Sequence, residues 1–438
     1  MKGRTFASRL LCGVLLLGSV STFGEETGVS AEETVEGLKA EESKSSDDSS
    51  LPESEARGSQ EEDILLDKLD DRKALAEERP PPFIFAPEAR KILGIVQKIK
   101  SMLLLYASIR LNVTHESGRT QINDGASRVG FIAKKSLSND NEIFARAEGG
   151  INIVDQIEAF SSGDANTSER DANSTITPRI YYAGYRRNQF RALAGKNWSA
   201  YYDVAGLTDR FAVYGGTSMG VYNANTDGGG SGTGRADHVL QIRYRGEMWQ
   251  LSMQGQTDTE IPGFESKFDY DYGVGVSAMQ ILKIGLGYGA AYNLASPQHI
   301  TPEMRERGFT GNDQSATFAV RYMRDRFLAV STVGYFENHE VDEEGFFFDA
   351  FGWEVYSRID PHPRLRVVAG VNYLLPDDDN YPGSLVNRQL IAGIHYTFWR
   401  NTFDDMFYVE FLSNRGVDAS GGDQPSAITA GVRVKLEW

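Results

Sequence analysis

The sequence predicts an all-β fold, a 16-stranded antiparallel transmembrane β-barrel behind an exported N-terminal extension. Three observations carry this. From about Leu103 to Trp438 apolar and polar residues alternate with a period of two. The connections between the alternating segments are short and long by turns. The one unbroken apolar run, Leu10 to Val20, is too short to cross a bilayer as a helix.

That run follows Lys2, Arg4 and Arg9 and gives way to small residues ending at Gly24, the layout of a secretory signal over residues 1–24. The single Cys12 lies inside the signal, so the exported chain carries no thiol. Residues 25–60 are rich in Glu, Ser and Asp and nearly free of large apolar side chains. They cannot bury enough surface to offset ordering entropy and are expected to be disordered. Residues 61–102 are expected to be helical. Ile64, Leu65, Leu69 and Leu75 form a first stripe ended by Pro80 to Pro82, and Ile92, Val96, Ile99 and Leu103 form a second.

Of the net charge of −16, the stretch from Glu25 to Arg79 holds 19 acidic and 7 basic residues, so the rest of the chain is close to balanced. No basic tract suggests nucleic-acid binding. A mean hydropathy of −0.38 excludes a bundle of membrane helices.

The barrel occupies residues 103–438. In AITAGVRVKLEW, Ile428, Ala430, Val432, Val434, Leu436 and Trp438 share one face, while Thr429, Arg433, Lys435 and Glu437 share the other. ILKIGLGYGAAYN, EMWQLSMQGQ and PRLRVVAGVNYLL alternate in the same way. A soluble sandwich would also alternate, but it needs neither strands of ten or more residues nor the loop asymmetry. Short turns are expected at 136–140, 186–189, 245–247, 279–280, 324–326, 360–363 and 399–403. Long loops are expected at 115–124, 155–175, 197–233, 258–267, 294–311, 337–348, 376–386 and 414–425. An even strand number puts both chain ends on the short-turn side, which places the extension in the periplasm.

Parity assigns the inner wall. With Ala107, Ile109, Leu111 and Val113 facing lipid, Ser108, Arg110 and Asn112 face the lumen. The same reasoning turns Gln241, Arg243, Arg364, Arg366 and Arg433 inward, because a charge on the lipid face near mid-membrane costs about 2–4 kcal/mol.

The stretch RIYYAGYRRNQFRALAGKNWSAYYDVAGLTDRFAVYGG, together with SRVGF at 127–131 and GRADHVLQIRYRG at 234–246, resembles the trimeric general diffusion porins of enteric, Gram-negative bacteria. The resemblance runs from about Leu105 to Trp438. It implies a third long loop folded into the barrel, whose acidic residues face a ladder of arginines. Position by position, Arg128, Arg179 and Arg235 match the ladder, Asp209 the loop's acid, and Tyr202 and Asp203 the loop's start. The family's glutamate before the aromatic-Gly-Gly tip is replaced by Val213, and Arg210 adjoins Asp209, which weakens the acidic side of the constriction. Trp438 matches the terminal aromatic read by the barrel assembly machinery.

The resemblance implies a water-filled channel for passive diffusion of small hydrophilic solutes and ions. It implies a homotrimer in the outer membrane, in contact with its lipids and lipopolysaccharide, with no cofactor and no catalysed reaction. Two alternatives stand beside it: a substrate-specific, anion-preferring porin, and a barrel tethering the envelope through a periplasmic or peptidoglycan partner of residues 25–100. The histidines at 115, 238, 299, 339, 362 and 395 sit in no catalytic motif and are expected to be ordinary wall or surface residues. The acidic PDDDN at 376–380 is expected to be a solvated loop tip.

Overall fold

The computed structural model describes residue 68 and residues 98–138, 140–151, 153–154, 176–264, 268–398 and 405–438. The signal, the acidic segment, most of the helical extension, the loop at 155–175 and the turn at 399–403 lie outside the described residues.

Seventeen strand segments follow one another: β1 (Leu103–Glu116), β2 (Arg119–Asp124), β3 (Arg128–Ser138), β4 (Asn141–Ile151), β5 (Ile176–Arg187), β6 (Phe190–Trp198), β7 (Arg235–Arg245), β8 (Trp249–Glu260) and β9 (Asp269–Ile281). Then come β10 (Leu286–Pro297), β11 (Asp313–Arg324), β12 (Phe327–Val341), β13 (Phe347–His362), β14 (Leu365–Pro376), β15 (Asn387–Thr397), β16 (Met406–Asn414) and β17 (Ala427–Glu437). β1 pairs with β2 over its outer half and with β3 over its inner half, so β2 and β3 are two pieces of one stave and the barrel has sixteen. Every stave is antiparallel to its neighbours in the chain, and β17 returns to β1 along Tyr106–Glu437 to Glu116–Ala427. The seam is finished by reciprocal bonds between the backbones of Leu105 and Trp438, at 3.1 and 3.0 Å. Closure leaves no row of unpaired backbone groups facing lipid.

Residues 125–127 interrupt the split stave. The Gly125 amide donates to the Arg110 carbonyl, and the Ser127 amide donates to Asp124 Oδ1 at 2.6 Å. The two hydrogen bonds satisfy backbone groups that the break removes from the ladder.

Most expected turns fall within a residue or two of where the strands reverse, and three connections differ. The loop expected at 115–124 is a tight turn at Ser117 and Gly118, with φ of 48° and 74°, followed by a paired strand. Two successive left-handed residues match the twist of a hairpin, so no long loop is needed. The turn expected at 279–280 lies instead at 282–285, because alternation in Leu282 and Ile284 continues across it. Gly285 is the residue that permits the turn: its φ is 85°, and a Cβ there would stand 1.9 Å from the Met323 carbonyl oxygen. The loop expected at 337–348 shrinks to residues 342–346, since β12 and β13 pair almost to their tips.

The extension's second stripe also changes. Leu103 is the first residue of β1 rather than the end of a helical seam, and Ile99 is half exposed. Residues 98–100 are helical. Lys68 donates to Glu437 Oε2 at 2.6 Å, which puts residue 68 against the last strand at the short-turn end of the barrel.

The two faces follow parity. Leu240 is 61% exposed on the outer face, whereas its neighbour Gln241 is 1% exposed on the inner one. Ile242, Leu251, Met253, Val274 and Val276 continue the outer apolar belt. Replacing Leu240, at the middle of β7, with Arg should therefore destabilise the barrel by about 2–4 kcal/mol. Unfolding titrations in lipid vesicles measure this, and a loss below about 0.5 kcal/mol, an ordinary surface effect, would contradict the face assignment.

Candidate functional site: the inward loop and the arginine wall

Between β6 and β7 the chain leaves the wall and crosses the interior. The crossing begins at a fixed base. Ser199 donates through Oγ to the Thr233 carbonyl, and the Trp198 ring stacks on Tyr202 with centroids 4.0 Å apart. A single turn of helix, α1 (Tyr202–Ala205), carries Asp203. Its carboxylate accepts from Arg243 at 2.7 Å and from Ser252 at 2.6 Å, with Arg245 4.0 Å away. Burial would raise the Asp203 pKa, but the two guanidiniums and these hydrogen bonds outweigh it and hold the acid below its ordinary value.

The far end of the loop is held by two buried wall carboxylates. Glu354 of β13 accepts from the Thr208 hydroxyl at 2.6 Å and from the Ser218 amide at 2.7 Å. Glu410 of β16 accepts from the amides of Ala212 and Val213 at 2.6 and 2.9 Å and lies 2.9 Å from His395 Nε2. Asn372 donates to the Tyr214 carbonyl, and the Tyr214 and Thr429 hydroxyls share a hydrogen bond. His339 bridges Asp313 and the Gly220 carbonyl. Phe211 meets Tyr356 edge-on at 5.1 Å. The loop is thus bonded to β12, β13, β14, β16 and β17, across the barrel from the strands that bear it.

The arginine wall is assembled around one carboxylate. Glu148 of β4 lies 3.8 Å from Arg128, 2.9 Å from Arg146 and 3.1 Å from Arg179. Tyr106 donates to Glu148 and accepts from Arg146, both at 2.9 Å. Arg235 pairs with Asp227 at 2.9 Å and lies over the Trp198 ring at 5.5 Å. Asp227 also takes Lys196 at 2.9 Å. Lys196 also lies 2.9 Å from Asp237, so four guanidiniums and an ammonium meet three carboxylates here, which leaves the wall basic.

Arg128 and Arg179 are brought together through Glu148, and Arg235 stands on the return leg of the loop. Asp209 is held by hydroxyls of its own loop. Its carboxylate accepts from the hydroxyls of Tyr202 and Tyr222, at 2.8 and 3.0 Å, so it is turned into its own loop. Its nearest neighbours there include the close-packed Gly215 and Gly216. Arg210 donates to the Leu207 carbonyl, and Val213 is anchored through its amide. Ser108 accepts from Arg110, and Arg243 and Arg366 are buried on the inner face. Arg364 differs from its expected place on a strand: it lies in the turn between β13 and β14, half-buried, where its carbonyl accepts from the Thr397 amide.

Sequence reasoning missed Glu148, Arg146, Glu354 and Glu410, and it took His339 and His395 as ordinary. The signal was present. Five of the six stand at a lumenal parity position, where the argument applied to the arginines holds equally for acids and histidines; His339 reaches the inside only through a register shift between Phe336 and Glu340, which parity does not reveal.

No family model matches the chain. It is similar to outer membrane porin F of Xenorhabdus nematophila, with 26% identity over 177 residues, 37% of this chain and 46% of the relative. It is similar to outer membrane protein S2 of Salmonella typhi, with 24% identity over 230 residues, 46% of this chain and 58% of the relative. The matched stretch thus spans about half the length of these relatives. The solved structure of Salmonella typhi OmpF in complex with daunomycin shares the fold with a TM-score of 0.59 and 17% identity, covering 76% of this chain and 97% of that one. The closed sixteen-stave barrel is the fold that this chain shares with that structure. Among such barrels the sequence likeness aligns this chain with the enterobacterial-type porins.

The loop's far end depends on Glu410. Glu410→Ala leaves the Ala212 and Val213 amides without their acceptor, a loss of about 1–3 kcal/mol of anchoring. Single-channel traces should become noisier, with a larger mean conductance. Traces identical to wild type would contradict the anchor.

Proposed function

We propose that the protein is a passive diffusion channel for small hydrophilic solutes and ions, with its selectivity set where the inward loop approaches the arginine wall. The observation that carries this reading is the closed barrel with a charged inner wall, narrowed by one loop bonded across the lumen. Charged side chains at mid-barrel height need a hydrated environment, because they are far too costly to bury in hydrocarbon. The opposed groups set a transverse field that orients water and dipolar solutes as they pass.

The constriction on this reading comprises Arg128, Arg179, Arg235, Arg210 and Val213, with Arg146 and Glu148 added to the basic wall. Asp209 belongs to the same constriction and, through Tyr202 and Tyr222, also braces the loop. Ser108, Arg110, Arg243 and Arg366 line the passage. Transport needs no cofactor and no bond-making step. The protein is proposed to work as a homotrimer in the outer membrane, with Trp438, exposed at the end of the closing strand, as its assembly signal. The extension is proposed to lie in the periplasm, a reading supported by the contact of Lys68 with Glu437 at the short-turn end.

In planar bilayers, conductance should rise in proportion to KCl concentration, as simple diffusion requires. Saturation in KCl, or absence of current, would defeat the reading. Under a salt gradient, Val213→Glu should shift the reversal potential toward cations, since it adds a negative charge at the loop tip. An unchanged potential would remove Val213 from the constriction.

A further inference from the structure

One of the contacts that hold the inward loop carries a proton requirement. His339, two residues from the long-loop end of β12, is fully buried, as is Asp313 at the start of β11. The imidazole Nδ1 lies 2.8 Å from Asp313 Oδ1, and Nε2 lies 2.7 Å from the Gly220 carbonyl oxygen. The other Asp313 oxygen accepts from the Tyr270 hydroxyl at 2.7 Å. The loop grips the same residue a second time, with Asn223 donating to the His339 carbonyl at 3.5 Å. Gly220 permits the approach: its φ is 61°, and a Cβ there would stand 2.7 Å from the Phe336 ring and 3.0 Å from His339 Cδ2.

Both ring nitrogens thus face an acceptor, and a neutral imidazole has one N–H to give. Making both bonds takes one proton more than a neutral ring beside a carboxylate supplies. That proton is either the second N–H of an imidazolium or the proton of an Asp313 carboxyl donating to Nδ1, and the count is the same. Without it a nitrogen lone pair is set against an oxygen lone pair in a site closed to water, and one of the two bonds is lost. His395 has no such requirement: among the described residues only its Nε2 has a hydrogen-bond partner, and a neutral ring can donate to Glu410. The titratable groups that flank the His339 contact are acids and phenols. They are Glu340 beside it on β12, Tyr270 on β9, Tyr201, which donates to the Met219 carbonyl, and Glu354 on β13, which holds Thr208 and Ser218.

We propose that His339 is a proton-dependent positioning residue of the inward loop. With the extra proton, the His339–Asp313 pair holds Gly220 to the wall; loss of the proton frees the loop there. The hold is therefore present at low pH and lost as pH rises. The proposal rests on the channel reading and deepens it by naming the condition under which this stretch of the loop stays in place.

The test uses the full-length protein in planar bilayers in KCl, with the pH raised from about 6 to about 10. Wild-type current should be quiet at the acid end and flicker about tenfold more often once the proton is lost, the change expected for one charge-assisted hydrogen bond. Asp313→Asn separates the proton from the packing. Its amide donates to Nδ1 of a neutral ring while its carbonyl still accepts from Tyr270, so both bonds survive and the current should stay quiet throughout. His339→Phe should flicker at every pH. Tyr270→Phe should keep the wild-type step, because the phenol is not the titrating group. A spin label on Ala224→Cys reads loop mobility in detergent without current and should rank the variants in the same order; Cys12, in the expected signal, is the single native cysteine. A wild-type current unchanged to about pH 10, an equal step in wild type and Asp313→Asn, or a step abolished by Tyr270→Phe overturns the assignment while sparing the channel. Absence of any current defeats the channel, and the spin label then decides the role of His339 alone.

Discussion

Hydrocarbon offers no partner to a backbone amide or carbonyl, and the rest of this structure depends on meeting that constraint. Each unsatisfied group in lipid costs several kcal/mol. The ladder must therefore run around the full circumference, and the joining of β17 to β1 is as necessary as any turn. The reciprocal Leu105–Trp438 bonds carry the pairing to the last residue of the chain. Where the ladder is interrupted, at residues 125–127, local donors and acceptors take over, with Ser127 and Asp124 filling the break. The closed ladder then divides space into an outer face that must be apolar and an inner face where polar groups can be solvated.

That division explains where the charges went and how the loop is fixed. A loop inside a barrel carries its own unsatisfied backbone groups, and here wall side chains satisfy several of them. Glu354 and Glu410 each accept from two loop donors, and His339 caps the Gly220 carbonyl. Carboxylates suit this task because one group accepts several short hydrogen bonds at once. The apolar contact of Phe211 with Tyr356 adds shape to what the acids hold by charge.

Much of this was legible in the sequence, and the limits have physical causes. Period-two alternation fixed which way Gln241, Arg243 and Arg110 point, since a strand has only two faces. It could not place the turn at 282–285, because Leu282 and Ile284 keep the alternation going while the chain reverses. The tight Ser117–Gly118 turn was hidden because a polar hairpin tip and a polar loop have the same composition. Parity gives a face, whereas it cannot give a partner. Arg128, Arg146 and Arg179 could be placed on the inner wall one by one, yet their convergence on Glu148 depends on the registers of β3, β4 and β5 together. Asp209 shows the same limit in a loop: its matching position indicates an acid, while only the folded loop shows that Tyr202 and Tyr222 claim it.

The inner surface therefore carries two kinds of charge. Glu148 draws three guanidiniums together and neutralises part of their field, and Asp227 does the same for Arg235 and Lys196. These acids keep a dense basic wall from repelling itself apart while leaving a net positive face. Among the described residues Arg321 has no such acid, and it stands on the half of the barrel where Glu354 and Glu410 serve the loop. Their hydrogen bonds to the loop's hydroxyl and amides turn their oxygens toward the loop, although their negative charge remains on this side of the lumen. The hydrogen bonds that narrow the passage thereby also shape the potential on the short-turn side of it.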